Sequence, residues 1–138
     1  MIILDTNVLS ALMQVQPDTV VINWLDAQPA EIIWISSITL FEARYGLNLL
    51  PEGQRKTTLL GRLEEIVRTD LANRIVVFDV RAAGKAADLA AQRKSRGRPV
   101  DMRDTFIAGI AVAHGATLAT RNTKHFEDLP MPVVNPWQ

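Results

Sequence analysis

The 138-residue chain suffices for one domain that buries about two-thirds of the surface its unfolded form exposes, and its 48% apolar and 22% charged content excludes disordered and fibrous classes. Fifteen basic side chains balance fifteen acidic ones, so the chain as a whole is no electrostatic magnet for nucleic acid, although a local basic face is left open. The absence of Cys excludes disulfides, thiolate zinc sites and thiol nucleophiles; with His114 and His125 the only imidazoles, a metal site must rest mainly on oxygen, which favours Mg²⁺ or Mn²⁺.

The apolar run Met1-Ile2-Ile3-Leu4 stops at Asp5 and passes through Thr6 and Asn7 into a helix-like pattern, Val8 to Leu12. A short apolar run beside a turn signal fits a strand buried on both faces, as in parallel α/β sheets. Ligands collect beyond the carboxyl ends of such strands, so Asp5 stands where a site is built. The run is far too short for a signal peptide, and no stretch is long enough to span a bilayer, so a cytoplasmic protein without a membrane partner is expected.

After a Pro-containing break, residues 19–27 resume with helical spacing through Val20, Val21, Trp24 and Leu25. Residues 31–35 read as a second buried strand ending at Ser36-Ser37, followed by a helix over about 38–50 whose apolar positions cover more than one face. Residues 54–69 form an amphipathic helix, 74–78 a third strand, and 81–95 an Ala-rich helix closed by the basic residues 93–98. A helix from Asp101 through Ala113 and a fourth strand over 116–119 follow, with Thr120-Arg121-Asn122 at its end. Residues 131–134 make an edge strand, because Pro132 cannot donate to a ladder. The alternation predicts a three-layer α/β/α sandwich on a mostly parallel five-stranded sheet.

Three acids share a setting: Asp5 after the first strand, Glu42 early in the helix after the second, and Asp104 early in the helix that begins near Asp101. Each has a capping explanation: Asp5 as an N-cap, Thr39-Leu40-Phe41-Glu42 as a capping box, and Asp101 as a cap with Asp104 three residues on. In a parallel sheet, helix starts and strand ends share one side of the molecule, so these caps converge. Crowded, partly buried carboxylates repel and lose hydration, raising their pKa unless a cation neutralises them. A divalent metal resolves that conflict, and hard oxygen ligands with open coordination positions suit attack of water on a phosphodiester. Helix N-termini further favour an anion, so the expected chemistry is that of a nuclease.

Ile3-Leu4-Asp5-Thr6-Asn7-Val8-Leu9, Glu42 with Ala43-Arg44-Tyr45-Gly46, Asp104 with Ile107-Ala108, and Leu118-Ala119-Thr120-Arg121-Asn122 form a combination specific in order and spacing. In these motifs the chain resembles a PIN-domain protein, and closely the VapC or FitB-like toxins of bacterial type II toxin–antitoxin pairs. The resemblance spans residues 1–138 as a single PIN-like domain. It implies a metal-dependent endoribonuclease in which Asp5, Glu42 and Asp104 bind Mg²⁺ or Mn²⁺. Asn122 falls at a fourth position that is acidic in many PIN domains; an amide can coordinate or orient a water but adds no negative charge, so one firm metal is expected, with a second recruited by substrate. Thr6 and Thr120 are placed to hydrogen-bond the acids or to act as ordinary turn hydroxyls.

The basic run with Arg93, Lys94, Arg96 and Arg98 reads equally as an RNA path through phosphate contacts and as a solvated helix end that complements the dipole. Arg103 and Lys124 extend that path, and Arg121, which adjoins the site, favours RNA contact; His125 reads as a surface turn residue and His114 as a helix terminus. The resemblance also implies a small antitoxin whose C-terminal segment lies over the acids, a homodimer, and DNA reached only through the antitoxin. Trp24, Phe41, Tyr45 and Leu49 serve equally as partner surface or core.

Two other readings compete. A receiver-like domain would use Asp79 as phosphoacceptor, but strand one ends in a single acid and no Lys follows the last strand. A PIN-like binding or regulatory module with a weakened site is raised by Asn122 and opposed by Asp5, Glu42 and Asp104.

Overall fold

The computed structural model describes residues 1–138, with strands β1 (Ile2–Leu4), β2 (Ile33–Ser36), β3 (Ile75–Val76), β4 (Thr117–Ala119) and β5 (Val133–Val134). They pair in parallel throughout, in the order β3-β2-β1-β4-β5. Ile3 of β1 sits in register with Trp34 on one side and Leu118 on the other. Because side chains alternate across a strand, Ile2 and Leu4 join Ile33, Ile35 and Ala119 in one core, while Ile3 joins Val76 and Leu118 in a second on the opposite face.

Six helices cover the two faces. From α1 (Thr6–Leu12), α2 (Thr19–Asp26), α3 (Ser37–Asn48) and α4 (Gln54–Glu65), the residues Val8, Leu9, Val21, Leu47 and Leu63 pack into the first core. From α5 (Val80–Ser95) and α6 (Met102–His114), Ala82, Leu89, Ile107, Ile110 and Ala111 fill the second. The three-layer α/β/α expectation is met, and the sheet is all-parallel, with β5 at its edge. No helix is long and apolar enough to cross a membrane.

The boundaries moved for local reasons. The third strand is shorter than the apolar run because the Phe78 N–H donates to Ser37 Oγ at 3.1 Å and Val77 turns outward, ending the ladder at Val76. Beyond Glu65 the fourth helix widens into a π-helical turn, Ile66–Asp70, closed by the Leu71 N–H on the Ile66 carbonyl and by Ala72 and Asn73 at positive φ. Residues Ala30–Ile32 form a 3₁₀ turn ahead of β2.

The α5–α6 contact is closest at Gly109, where an added Cβ would lie 2.6 Å from Ala86 Cβ and 2.7 Å from the Ala82 carbonyl oxygen. Backbone atoms cannot step aside as a side-chain tip can, so Gly109→Ala is predicted to destabilise the protein by about 1–3 kcal/mol. A urea midpoint equal to that of the parent chain would show that the two helices separate freely.

Candidate active site

Parallel pairing brings the carboxyl ends of β1, β2 and β4 to one edge. The ladder runs one residue past β1, with the Asp5 N–H on the Ala119 carbonyl at 2.8 Å, so the Asp5 side chain enters a position only 3% exposed. As N-cap of α1 its Oδ1 accepts the Thr6 N–H at 2.8 Å, while Oδ2 accepts the Thr120 hydroxyl at 2.7 Å and the Asn7 amide at 3.4 Å. Thr6 Oγ1 donates to Glu42 Oε1 at 2.8 Å and lies 3.0 Å from Thr39 Oγ1, which must therefore donate to it. Thr6 and Thr120 thus act on the acids.

The capping-box reading of Glu42 is corrected. β2 continues to Ser36, whose Oγ accepts the Thr39 N–H at 3.0 Å and caps α3; Glu42 is left in the second turn with its carboxylate free of capping. The cap of α6 is Asp101, which accepts the Arg103 N–H at 2.8 Å, while Asp104 Oδ2 lies 2.8 Å from His125 Nδ1. Asn122 joins the same edge by its backbone: its N–H donates to Thr120 Oγ1 and its carbonyl accepts the His125 N–H, both at 3.0 Å.

A guanidinium and an imidazole stand against the acids. Arg103 Nη1 is 3.5 Å from Glu42 Oε2, and His125 faces Asp104. The side chains are turned toward these partners, and no three acidic or imidazole groups converge on one coordination point. Burial holds the Asp5 carboxyl above its ordinary value; hydrogen bonds from Thr120 and the Thr6 N–H oppose that rise, and the charges of Asp104 and Glu42 reinforce it.

The basic run separates into three fates. Arg96 is exposed at the end of α5, and Arg98 donates to the Lys124 carbonyl at 2.8 Å and pairs with Glu127 at 3.2 Å. Arg93 departs from both earlier readings, because it is 3% exposed. Its Nε and Nη2 reach the two Asp128 oxygens at 2.8 and 2.9 Å, Nη1 donates to Thr105 Oγ1 at 3.0 Å, and Nη2 also donates to the His125 carbonyl at 2.8 Å. One guanidinium therefore ties the helix that carries Asp104 to the loop that carries His125. The sequence held a signal for this: Ala82, Ala86, Leu89 and Arg93 continue one buried stripe of α5.

Arg121, by contrast, lies where expected: its N–H donates to Asn7 Oδ1 at 3.2 Å, and its guanidinium stands 4.8 Å from the centroid of the Trp137 ring. The Trp137 contact was not foreseen. Asp79 caps α5 by accepting the Ala82 N–H at 2.9 Å. It follows an edge strand, whereas receiver-like sheets run 2-1-3-4-5, which sets the phosphoacceptor reading aside.

Arg93 holds the Asp128 carboxyl below its ordinary value. The stability from this pair is present above the unfolded-state pKa and is lost as pH falls through the lowered folded one. Asp128→Ala leaves a buried guanidinium without its anion and is predicted to cost about 3–5 kcal/mol near neutral pH. Thermal melts across pH should show the gap from the parent chain narrowing in acid; a small, pH-independent gap would remove the clamp from the account.

A family profile described as PIN domain matches residues 2–130. Over 138 residues the chain is 45% identical to "VapC ribonuclease Y4jK" of Sinorhizobium fredii, covering 100% of this chain and 99% of that protein. It is 39% identical over 137 residues to "Toxin FitB" of Neisseria gonorrhoeae, covering 99% of each. Among solved structures, FitAB bound to an IR36 DNA fragment superposes with a TM-score of 0.90 at 38% identity, over 100% of this chain and 96% of the other. With a profile matched across nearly its full length, and relatives of this similarity, the chain belongs to the PIN-domain family, among its VapC- and FitB-like toxins.

Proposed function

We propose that the chain, acting in the cytoplasm as one PIN-like unit over residues 1–138, cleaves RNA with a divalent cation, Mg²⁺ or Mn²⁺, held by Asp5, Glu42 and Asp104. The observation that carries this reading is the buried Asp5 carboxyl, raised by burial and by two neighbouring carboxylates. Carboxylate oxygens are the hard donors such cations take, and a cluster short of positive charge gains most from one. Holding one ion in common requires Glu42 and Asp104 to rotate from Arg103 and His125, both of which lie on half-exposed side chains.

A bound divalent cation supplies positive charge against the phosphate and lowers the pKa of water. The chain's own residues do the positioning. Thr120 and the Thr6 N–H fix both Asp5 oxygens, and the Thr6 hydroxyl orients Glu42. Arg103, once released from Glu42, is placed to meet a phosphate, and Arg121 lies beside the site as a second contact. Asn122, whose backbone joins the same edge, carries an amide and adds no charge. Arg96 and Arg98, further along the basic run, meet RNA only outside this centre.

The partners follow the family. A cognate antitoxin neutralises such a toxin, and DNA is contacted through it. A cleft of about 250 Å³ between α1, α3 and α4, lined by Met13, Leu50, Leu59 and Arg55, opens onto Thr6 and Glu42, which suits an antitoxin segment that obstructs the acids. A second copy forms a homodimer: Phe41 and Tyr45 of α3 and Leu49 at its C-cap are 57%, 50% and 67% exposed, apolar surface that pairing removes from water. Trp24, unlike these three, packs against the first core.

Two measurements test the reading. Because folding raises the Asp5 pKa, its stabilising contribution is present below the unfolded value of 3.8 and is lost as pH rises through the folded one. Asp5→Asn should therefore raise the melting temperature of the metal-free chain at neutral pH, and should abolish the further rise that Mn²⁺ gives the parent chain. In parallel, partner-free protein with Mg²⁺ or Mn²⁺ should cut a pool of small structured RNAs, with Asp5→Asn, Glu42→Gln or Asp104→Asn slower on the order of a thousandfold. A folded parent chain that binds Mn²⁺ and cuts nothing would leave a PIN-like binding module with a weakened site.

A further inference from the structure

An open cleft of about 520 Å³ lies next to the acidic edge, bounded there by Asn7. Its walls come from three parts of the chain. Asn7 and Gln14 belong to α1 and the residues after it, Gln16 and Asp18 to the break before α2, and Arg121 and Trp137 to the ends of the last two strands. The fold explains the meeting: β4 and β5 are parallel, the Thr120 N–H donates to the Val134 carbonyl at 2.9 Å, and both segments leave the sheet at its carboxyl edge. Asn135 Oδ1 then accepts the Trp137 N–H at 2.9 Å and sets the tail in a turn.

We propose that this cleft is a nucleobase subsite, which holds one unpaired RNA base on the Arg121 guanidinium, itself backed by Trp137, beside the acids and gives cleavage a sequence preference. The inference rests on the ribonuclease reading and adds to it the part of the substrate that phosphate-directed carboxylates do not distinguish.

Three features favour a base over a phosphate or an apolar helix. The indole packs against the first core and backs the exposed Arg121 guanidinium 4.8 Å above it, and the outer face of that guanidinium is the kind of plane on which unpaired bases stack. Around it are amides, which offer both donors and acceptors to a base edge, and the carboxylate of Asp18, which repels phosphate but accepts from exocyclic amino groups. Apart from Ala11 and Trp137 the lining is polar, so it gives little to an amphipathic helix. Asn7 joins the cleft to the chemistry: its amide donates to Asp5 Oδ2 and its carbonyl oxygen accepts the Arg121 N–H. A base seated there is one side chain, Asn7, away from Asp5.

The test has two arms on the full chain without antitoxin. In the first, the three indole N–H resonances, from Trp24, Trp34 and Trp137, are followed while adenosine, guanosine, cytidine and uridine 5′-monophosphates are added at millimolar concentration, with ribose 5-phosphate as control. The Trp137 signal should move with at least one nucleotide and stay in place with ribose 5-phosphate. Equal movement with both, or none with any nucleotide, overturns the subsite, the latter leaving the cleft to a protein partner. In the second arm, cut ends from a random-sequence RNA pool are sequenced for the parent chain, Trp137→Ala and the exposed-site variant Gln14→Ala. Preference at one base next to the cut should fall about fivefold or more in each variant that folds, read as a ratio within that variant. An unchanged preference in folded Gln14→Ala and Trp137→Ala overturns the proposal. If the parent chain cuts no RNA, the nuclease reading fails by itself and the resonance arm still decides whether the cleft takes a base.

Discussion

The structure turns on a carboxylate that has been taken out of water. Asp5 closes the central strand of an all-parallel sheet, and its side chain is almost wholly buried at the edge where β1, β2 and β4 end. Burying an anion costs several kcal/mol unless it is compensated. Two donors, the Thr120 hydroxyl and the Thr6 N–H, return part of that cost, while Glu42 and Asp104 add to it. The arrangement makes poor sense as capping alone, because a cap on a seven-residue helix needs neither burial nor two further acids. It makes sense as an edge prepared for added positive charge.

The surroundings are built to keep that edge in shape. The acids are held through neighbours: Thr39 donates to Thr6, Thr6 to Glu42, Thr120 to Asp5, and Arg93 secures the loop whose His125 faces Asp104. Arg93 is the longest-reaching of these, joining α5, α6 and the residues after β4 with one planar group. Its five donors in a fixed fork suit that task better than a Lys would. The close Gly109 contact on the same face serves the same end, by seating α6, and with it Asp104, tightly on α5.

Much of this was legible in the residues, and the parts that were not share a cause. β1 and the Asp5 cap could be read because both are local: an apolar run buried on two faces, then a carboxylate one residue from the N–H it accepts. The residues alone place the cap of α3 at Thr39, because Ser36 reads as the end of a strand rather than the start of a helix, and it is both. The pairings of Arg93 with Asp128, His125 with Asp104 and Arg121 with Trp137 join residues 35, 21 and 16 positions apart, which no helical or strand period links. Arg93 shows the difference most sharply. Lys94, Arg96 and Arg98, which follow it in the basic run, are exposed, and only its place on the stripe of Ala82, Ala86 and Leu89 marks it as interior.

The central claim is that Asp5, Glu42 and Asp104 are cation ligands rather than three caps. It is tested most directly by soaking crystals of the partner-free chain in Mn²⁺ and locating the ion by its anomalous scattering. The account predicts density against Asp5 shared with Glu42 or Asp104, at oxygen distances of about 2.0–2.3 Å, with the side chains withdrawn from Arg103 or His125. Ordered crystals with Mn²⁺ bound elsewhere, or with Arg103 and His125 still on the acids at saturating metal, would contradict it.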